Sequence, residues 1–264
     1  MNGPDFVRMG PAHITALVLI VVVPALMSLA VRRSWLGSNT RMILACAFAA
    51  VMLTNDVCIR IFMLSTGKSI NVSLPLHLCD VAVYITVGAI FMRSLGLYEV
   101  AYFWGFAGTV QALLTPELNH GEGFPSFRYF SFFIGHGGVL VGVLYMTWGL
   151  NMRPEFWSIW RVFLWCQVYL FFNLIVNYTL GSNYGFTMAK PETGSILDYM
   201  GPWPWYLVGM QVVGVAMFVI YYLPFLYSDW AGLQPLLGRN ARPLPGRPLE
   251  EPPDIWKEIE DETA

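Results

Sequence analysis

Charge is what this sequence has least of: 12% of its 264 residues are Asp, Glu, Lys or Arg, about half the roughly 25% of a soluble domain. A soluble core of this length would need more polar surface than that. The shortage is also uneven, because residues 228–264 hold 12 of the 32 charges and leave 20 to the preceding 227 residues. Cysteine is scarce as well: four residues with no CxxC pair exclude a disulfide scaffold and a zinc ribbon. Histidine is limited to four, none in an HExxH motif. With a net charge of -2 and no basic arm, nothing in the chain would track a phosphate backbone, so nucleic acid is not an expected partner. No repeat of fixed period is present.

Apolar runs fill the space that charge leaves. Hydrophobic residues make up 56% of the chain, and the mean hydropathy is +0.54. A membrane-spanning helix takes about 20 mainly apolar residues. Seven such runs begin near Ile14, Met42, Leu74, Tyr98, Ser126, Phe156 and Trp205. The expected fold is therefore an all-α membrane protein, a seven-transmembrane helical bundle in a cell membrane. Residues 1–228 form the membrane domain, and residues 229–264, with six of the 17 prolines, form a polar tail unable to bury a core.

Direction follows from the basic residues. Ser28-Leu29-Ala30 has the look of a cleavage site, but Arg32-Arg33 follow the first run directly, the pattern of a retained anchor. One face collects ten Lys and Arg, including Arg32, Arg33, Arg41, Arg93 and the tail, against Arg8, Lys68, Arg128 and Lys190 on the other. The positive-inside rule then puts the amino terminus outside and the carboxyl terminus in the cytoplasm.

Polar residues within the spans gather toward the outer face. The second span has Asn55, Asp56 and Arg60 in its outer half; the third opens with His77, Cys79 and Asp80; the fourth closes with Gln111 and Thr115. Arg128 and His136 begin the fifth span, and Asn173, Asn177 and Tyr178 close the sixth. The inner halves hold almost nothing comparable. Residues three, four or seven apart share a helix face. Asp56 can pair with Arg60, and stripes run along His77, Asp80 and Tyr84, along Trp104, Gly108, Gln111 and Thr115, and along Tyr169, Asn173 and Asn177. They either line an outward cavity or serve as interhelical hydrogen-bonding glue. Two outer segments rich in Pro, Gly and aromatics, TPELNHGEGFPSF and GSNYGFTMAKPETGSILDYMGPWPWY, have the composition of a folded cap, while Trp205 and Tyr206 also suit an aromatic interface belt.

Three chemistries remain open on these residues. Cys79 with His136, the latter among Gly135, Gly137 and Gly138, has the composition of a nucleophile and base, the glycines allowing a backbone or lipid to come close. Cys79 is equally a small packing residue, or half of a bridge to Cys58. His77, Asp80 and His136, with Glu117 and His120, are a conceivable metal set for a metal-dependent intramembrane hydrolase. A small-solute transporter would use the stripes as a path, but the inner halves offer no polar exit.

LPLHLCD at residues 74–80, GTVQALLTPEL at 108–118, FFIGHG at 132–137, GSNYGF at 181–186 and KPETGSILDYMGPWPWY at 190–206 together resemble the YwaF-like bacterial integral membrane proteins. These are related to the transmembrane protein 164 acyltransferase family, and the resemblance spans about residues 10–228. It implies a lipid acyltransferase that moves a fatty acyl chain between phospholipid and lysophospholipid through a cysteine thioester. Cys79 and His136 match the cysteine and histidine of that family; no cofactor is implied. Asp56, Arg60, His77, Asp80, Gln111, Asn173 and Asn177 would form the supporting polar cavity, with Gln111, Asn173 or Asn177 as oxyanion donor. The animal member takes a polyunsaturated chain to an ether lysolipid, lipids scarce in bacteria, so the reaction class carries over and the lipid does not. Gly185 departs from the larger residue that the resemblance leads one to expect after the NY pair.

Overall fold

The computed structural model describes residues 3–118, 120–191 and 196–231, so the polar tail from residue 232 onward lies outside the described residues. Helix accounts for 75% of the structure, and the described residues contain no strand. The elements are α1 (Pro11–Arg32), α2 (Ser38–Ser65), the single turn α3 (Ile70–Ser73), α4 (Leu78–Met92) and α5 (Leu95–Trp104). A π-helical turn (Gly105–Thr109) leads from α5 into α6 (Val110–Leu114), and α7 (Phe127–Trp148), α8 (Ser158–Leu180) and α9 (Trp205–Ala231) complete the bundle. Helices start within about a turn of each expected run.

Five helices, α1, α2, α7, α8 and α9, are long and apolar enough to cross a membrane, and the chain is a multi-pass membrane protein. The other two runs are interrupted for identifiable reasons. Pro75 and the extended segment ahead of His77 delay the start of α4, and Arg93 in the left-handed conformation (φ 46°) ends it after 15 residues. The run from Leu95 to Leu114 is continuous but contains the π turn, where the Thr109 hydroxyl donates to the Gly105 carbonyl at 2.5 Å.

Glycine sets the packing around α7, the helix that touches α1, α2 and α4. A Cβ at Gly137 would stand 2.7 Å from Ile20 Cδ1 of α1, one at Gly138 would overlap Met52 of α2, and one at Gly142 would come to 2.5 Å from Thr86 Cγ2 of α4. Where a backbone or a lipid was expected beside Gly137 and Gly138, side chains of α1 and α2 press onto them, as one of α4 does onto Gly142. At the end of the bundle where α7 starts, the residues before α1 fold over the loop ahead of α7. Gly123 N–H donates to the Pro4 carbonyl at 2.7 Å, and Gly121 N–H donates to Asp5 Oδ1 at 2.9 Å. His13 is fully buried beside them: Nδ1 accepts the Met9 N–H at 3.0 Å, so Nε2 is the nitrogen that donates to the Leu113 carbonyl at 2.7 Å.

A polar cluster occupies the opposite end of the bundle, where the sequence promised almost none. Glu99 is 2% exposed and receives the Ser158 hydroxyl at 2.7 Å and Arg161 Nε at 2.9 Å. Arg153, also buried, lies 5.3 Å from the centre of the Phe225 ring. Glu99 stands in an apolar run and its partners lie about 60 residues away, so no periodicity announces the cluster.

Candidate functional site

The site is built where α4 begins. Leu74-Pro75-Leu76-His77 runs extended, and Asp80, three residues into the turn, accepts the His77 N–H at 3.2 Å, one of the donors that a helix start leaves open. The other Asp80 oxygen lies 2.5 Å from Arg60 Nη2 of α2, which also reaches Asp56 Oδ1 at 2.8 Å. Tyr84 donates to Asp56 Oδ2 at 2.7 Å. The expected i,i+4 pair is present, and it belongs to a cluster joining two helices. Arg60 Nε is buried without a hydrogen-bond partner among the described residues.

Cys79 sits on the second residue of α4, half-buried. Its relation to His136 follows from helix register. Helices α4 and α7 both start at this end of the bundle, and Thr86 packs against Gly142. Seven residues back toward the start of each helix, about 10 Å at 1.5 Å per residue, that register puts Cys79 level with Gly135 and its neighbour His136. Asp80 lies within electrostatic range of both Cys79 and His136. The His136 ring stacks on Phe132, 4.3 Å between centroids, with Nδ1 3.1 Å from the Phe132 carbonyl. A carbonyl can only accept, so Nδ1 carries the proton and Nε2 is left basic. Asn55 of α2 ties that helix to α7 by donating to the Ser131 carbonyl at 3.1 Å.

The segment after α8 covers this corner. Asn177 is 2% exposed and saturated: its amide donates to the Tyr184 carbonyl and to Thr187 Oγ1, both at 2.8 Å, while Oδ1 accepts from Ser182 Oγ and Tyr184 N–H, both at 2.8 Å. Its hydrogen-bonding capacity is spent on folding the cap, so it has none left for an oxyanion. The cap is then tied to the approach of α4. Tyr184 OH accepts the Leu74 N–H at 2.9 Å, Tyr169 OH donates to the Leu76 carbonyl at 2.9 Å, and His77 packs edge-on against Tyr184 at 5.2 Å. Gly185 has φ +63°, and a Cβ there would lie 2.9 Å from Tyr169 Oη, which is why the residue is glycine. Trp203 Nε1 donates to the Thr187 carbonyl at 3.1 Å and Tyr206 OH to the Phe186 carbonyl at 2.7 Å. Tyr206 is thus a buried support of the cap at 1% exposure, whereas Trp205, 67% exposed, keeps the interface-belt geometry.

Two expected members stand differently. Gln111 is exposed and its amide donates to Ala107 on its own helix at 3.2 Å. The π turn puts an extra residue between it and Trp104 and rotates it off their shared stripe. Asn173 is fully buried, donating to the Tyr169 carbonyl at 3.1 Å, and its Oδ1 has no partner among the described residues. The alternatives contract too. All four cysteines are free, so Cys58 and Cys79 are not bridged. Among the described residues no group of three His, Cys, Asp or Glu is placed to hold a metal: His77 is engaged by the cap, and His120 is 99% exposed beside Asp5. Sequence reasoning missed Tyr184 and Thr86, whose partners are remote in the chain and whose residue types are unremarkable in a span.

Neither the curated proteins nor the solved structures contain a match to this chain. A model of the TMEM164 family, however, matches residues 8–222, a stretch that takes in every helix described above except the last turns of α9. That stretch includes α4, α7 and the cap over the start of α4, and the chain belongs to the TMEM164 family.

Proposed function

We propose that this protein is a membrane-embedded acyltransferase that moves a fatty acyl chain between phospholipids through a thioester on Cys79. The observation that carries the reading is the register of α4 on α7, which brings a helix-start cysteine level with a histidine whose Nδ1 is already fixed by Phe132. Nε2 of His136 takes the proton from Cys79 Sγ, and the thiolate adds to an ester carbonyl of a phospholipid. The open backbone N–H groups in the first turn of α4 stabilise the oxyanion. Collapse breaks the ester C–O bond; the departing lysophospholipid oxygen takes the proton from His136 and leaves an acyl thioester. The hydroxyl of a second lysophospholipid then gives its proton to His136 and attacks the thioester, and the sulfur leaves and is reprotonated. Ester and thioester are close enough in energy for exchange without a cofactor.

In this reading α4 and the helix from Leu95 to Leu114 also cross the bilayer, giving seven spans, with the amino terminus outside and the site toward the outer leaflet. The polar tail of residues 229–264 is cytoplasmic. The test is intact-mass measurement of purified protein with phospholipid. An acyl adduct should form on wild type and be absent from Cys79→Ala. Full acyl exchange in Cys79→Ala overturns the nucleophile, and a wild type that exchanges no chains but carries a solute across liposomes puts a transporter in its place.

A further inference from the structure

We propose that a groove at the start of α1 and α7 holds the choline headgroup of one membrane lipid. The residues ahead of α1, the first turn of α1 and the loop ahead of α7 border a volume of about 260 Å³. An apolar cavity of about 150 Å³ takes a benzene ring, so a trimethylammonium group fits with room for the carbons that follow it. Phe6, Phe124 and Tyr129 supply aromatic walls. Phe124 meets Tyr129 at 82° with 5.5 Å between centroids, a corner made of two rings, and Phe6 stands 6.5 Å from Tyr129. Asp5 is the one charged residue of the lining. Its Oδ1 accepts the Gly121 N–H at 2.9 Å and lies 3.3 Å from Nδ1 of the exposed His120, whereas Oδ2 has no partner among the described residues.

Charge and hydrogen bonding together select the occupant. Ring faces beside a carboxylate attract a cation. A primary ammonium also needs acceptors for three N–H bonds, and three carbonyls of the lining are already committed: Val7 accepts the Gly10 N–H at 3.0 Å, Gly10 the Ile14 N–H at 3.0 Å and Ala12 the Tyr129 hydroxyl at 2.7 Å. A quaternary ammonium asks for no hydrogen bond, and its methyl groups suit aromatic faces. The place in the fold makes that cation part of a lipid. Helix α1 is long and apolar enough to cross the bilayer, so its first turn stands at headgroup level. Farther along α1, Ile14, Val18 and Leu19 are about half-exposed and offer acyl chains a surface that a free amine would not use.

The experiment is native mass spectrometry of the full chain in detergent with dialkyl ether lipids, whose chains cannot be transferred, so that binding is read whether or not Cys79 forms a thioester. Wild type should hold one phosphatidylcholine about fivefold more tightly than phosphatidylethanolamine with the same chains, the effect of a cation on exposed rings. Phe124 is half-exposed, and Phe124→Leu, which keeps the bulk and removes the ring face, should weaken phosphatidylcholine by about two- to fivefold and leave phosphatidylethanolamine unchanged. Asp5→Asn, which keeps an acceptor for the Gly121 N–H and removes the charge, should weaken phosphatidylcholine by a similar factor. Equal binding of the two lipids by wild type overturns the proposal, as does undiminished phosphatidylcholine affinity in either variant. Displacement of the lipid by an equal concentration of free choline makes the site one for a soluble cation and also overturns it.

Discussion

Arg60 of α2 meets Asp80 of α4 at 2.5 Å without leaving Asp56, its neighbour one turn away. One guanidinium therefore serves two carboxylates on two helices, and the same Asp80 caps the helix that carries Cys79. The cluster fixes where α4 starts.

Arg60→Met should leave two carboxylates facing each other where the Asp56 and Asp80 side chains are only 7% and 19% exposed. The expected loss is about 3 kcal/mol, the low end for a broken buried pair because water still reaches it. Thermal unfolding in detergent measures this. Adding Asp80→Asn to Arg60→Met should cost less than the sum of the two single changes, and strict additivity would mean that the cross-helix pair contributes nothing.

Gly142→Ala and Gly138→Ala separate packing from sequence alone. At Gly142 the new methyl meets Thr86 Cγ2 at 2.5 Å, on a short β-branched side chain with nowhere to go, so α4 and α7 must part at a cost of about 1–3 kcal/mol. At Gly138 it meets the end of Met52, which can swing aside. Gly142→Ala should lower both the unfolding temperature and acyl-adduct formation, and Gly138→Ala should do so far less. Equal losses would show that the common level of Cys79 and His136 does not depend on this contact.

Replacing His136 by Ala should slow adduct formation at neutral pH by about 10²–10⁴-fold, the usual contribution of a positioned base. Hydroxide ionises a thiol in the base's absence, so the deficit should shrink as the pH rises. A deficit independent of pH would make His136 a structural residue.

Asn177→Ala removes four hydrogen bonds at once and leaves the Tyr184 N–H without its acceptor. Amide hydrogen exchange over residues 181–187 should speed up by at least about tenfold, since an unsatisfied buried group costs about 1–3 kcal/mol. Unchanged protection there would mean that the cap is held by Tyr184 and Tyr206 alone.

Alkaline phosphatase fused after Lys190 should be active, and the same reporter fused after Arg242 silent. The reverse pattern would put the Cys79 end of the bundle on the cytoplasmic side.

Composition alone settled much. A chain this poor in charge has to bury its backbone polar groups in helices inside a bilayer, and each helix begins within a turn of the place where its apolar run begins. Local spacing also determined the Asp56–Arg60 pair, because four residues on one helix is a short-range relation that no partner needs to complete. Tertiary structure decided the rest. Whether Asp80 reaches Arg60, whether Gln111 faces the site after a π turn, and whether Asn177 is spent on the cap all depend on groups far away in sequence. Glu99 is the plainest case. An acid in an apolar run gives no sign of its partner, and only the packing of α8 against α5 brings Ser158 and Arg161 to it, since a buried charge persists only where distant residues converge to neutralise it.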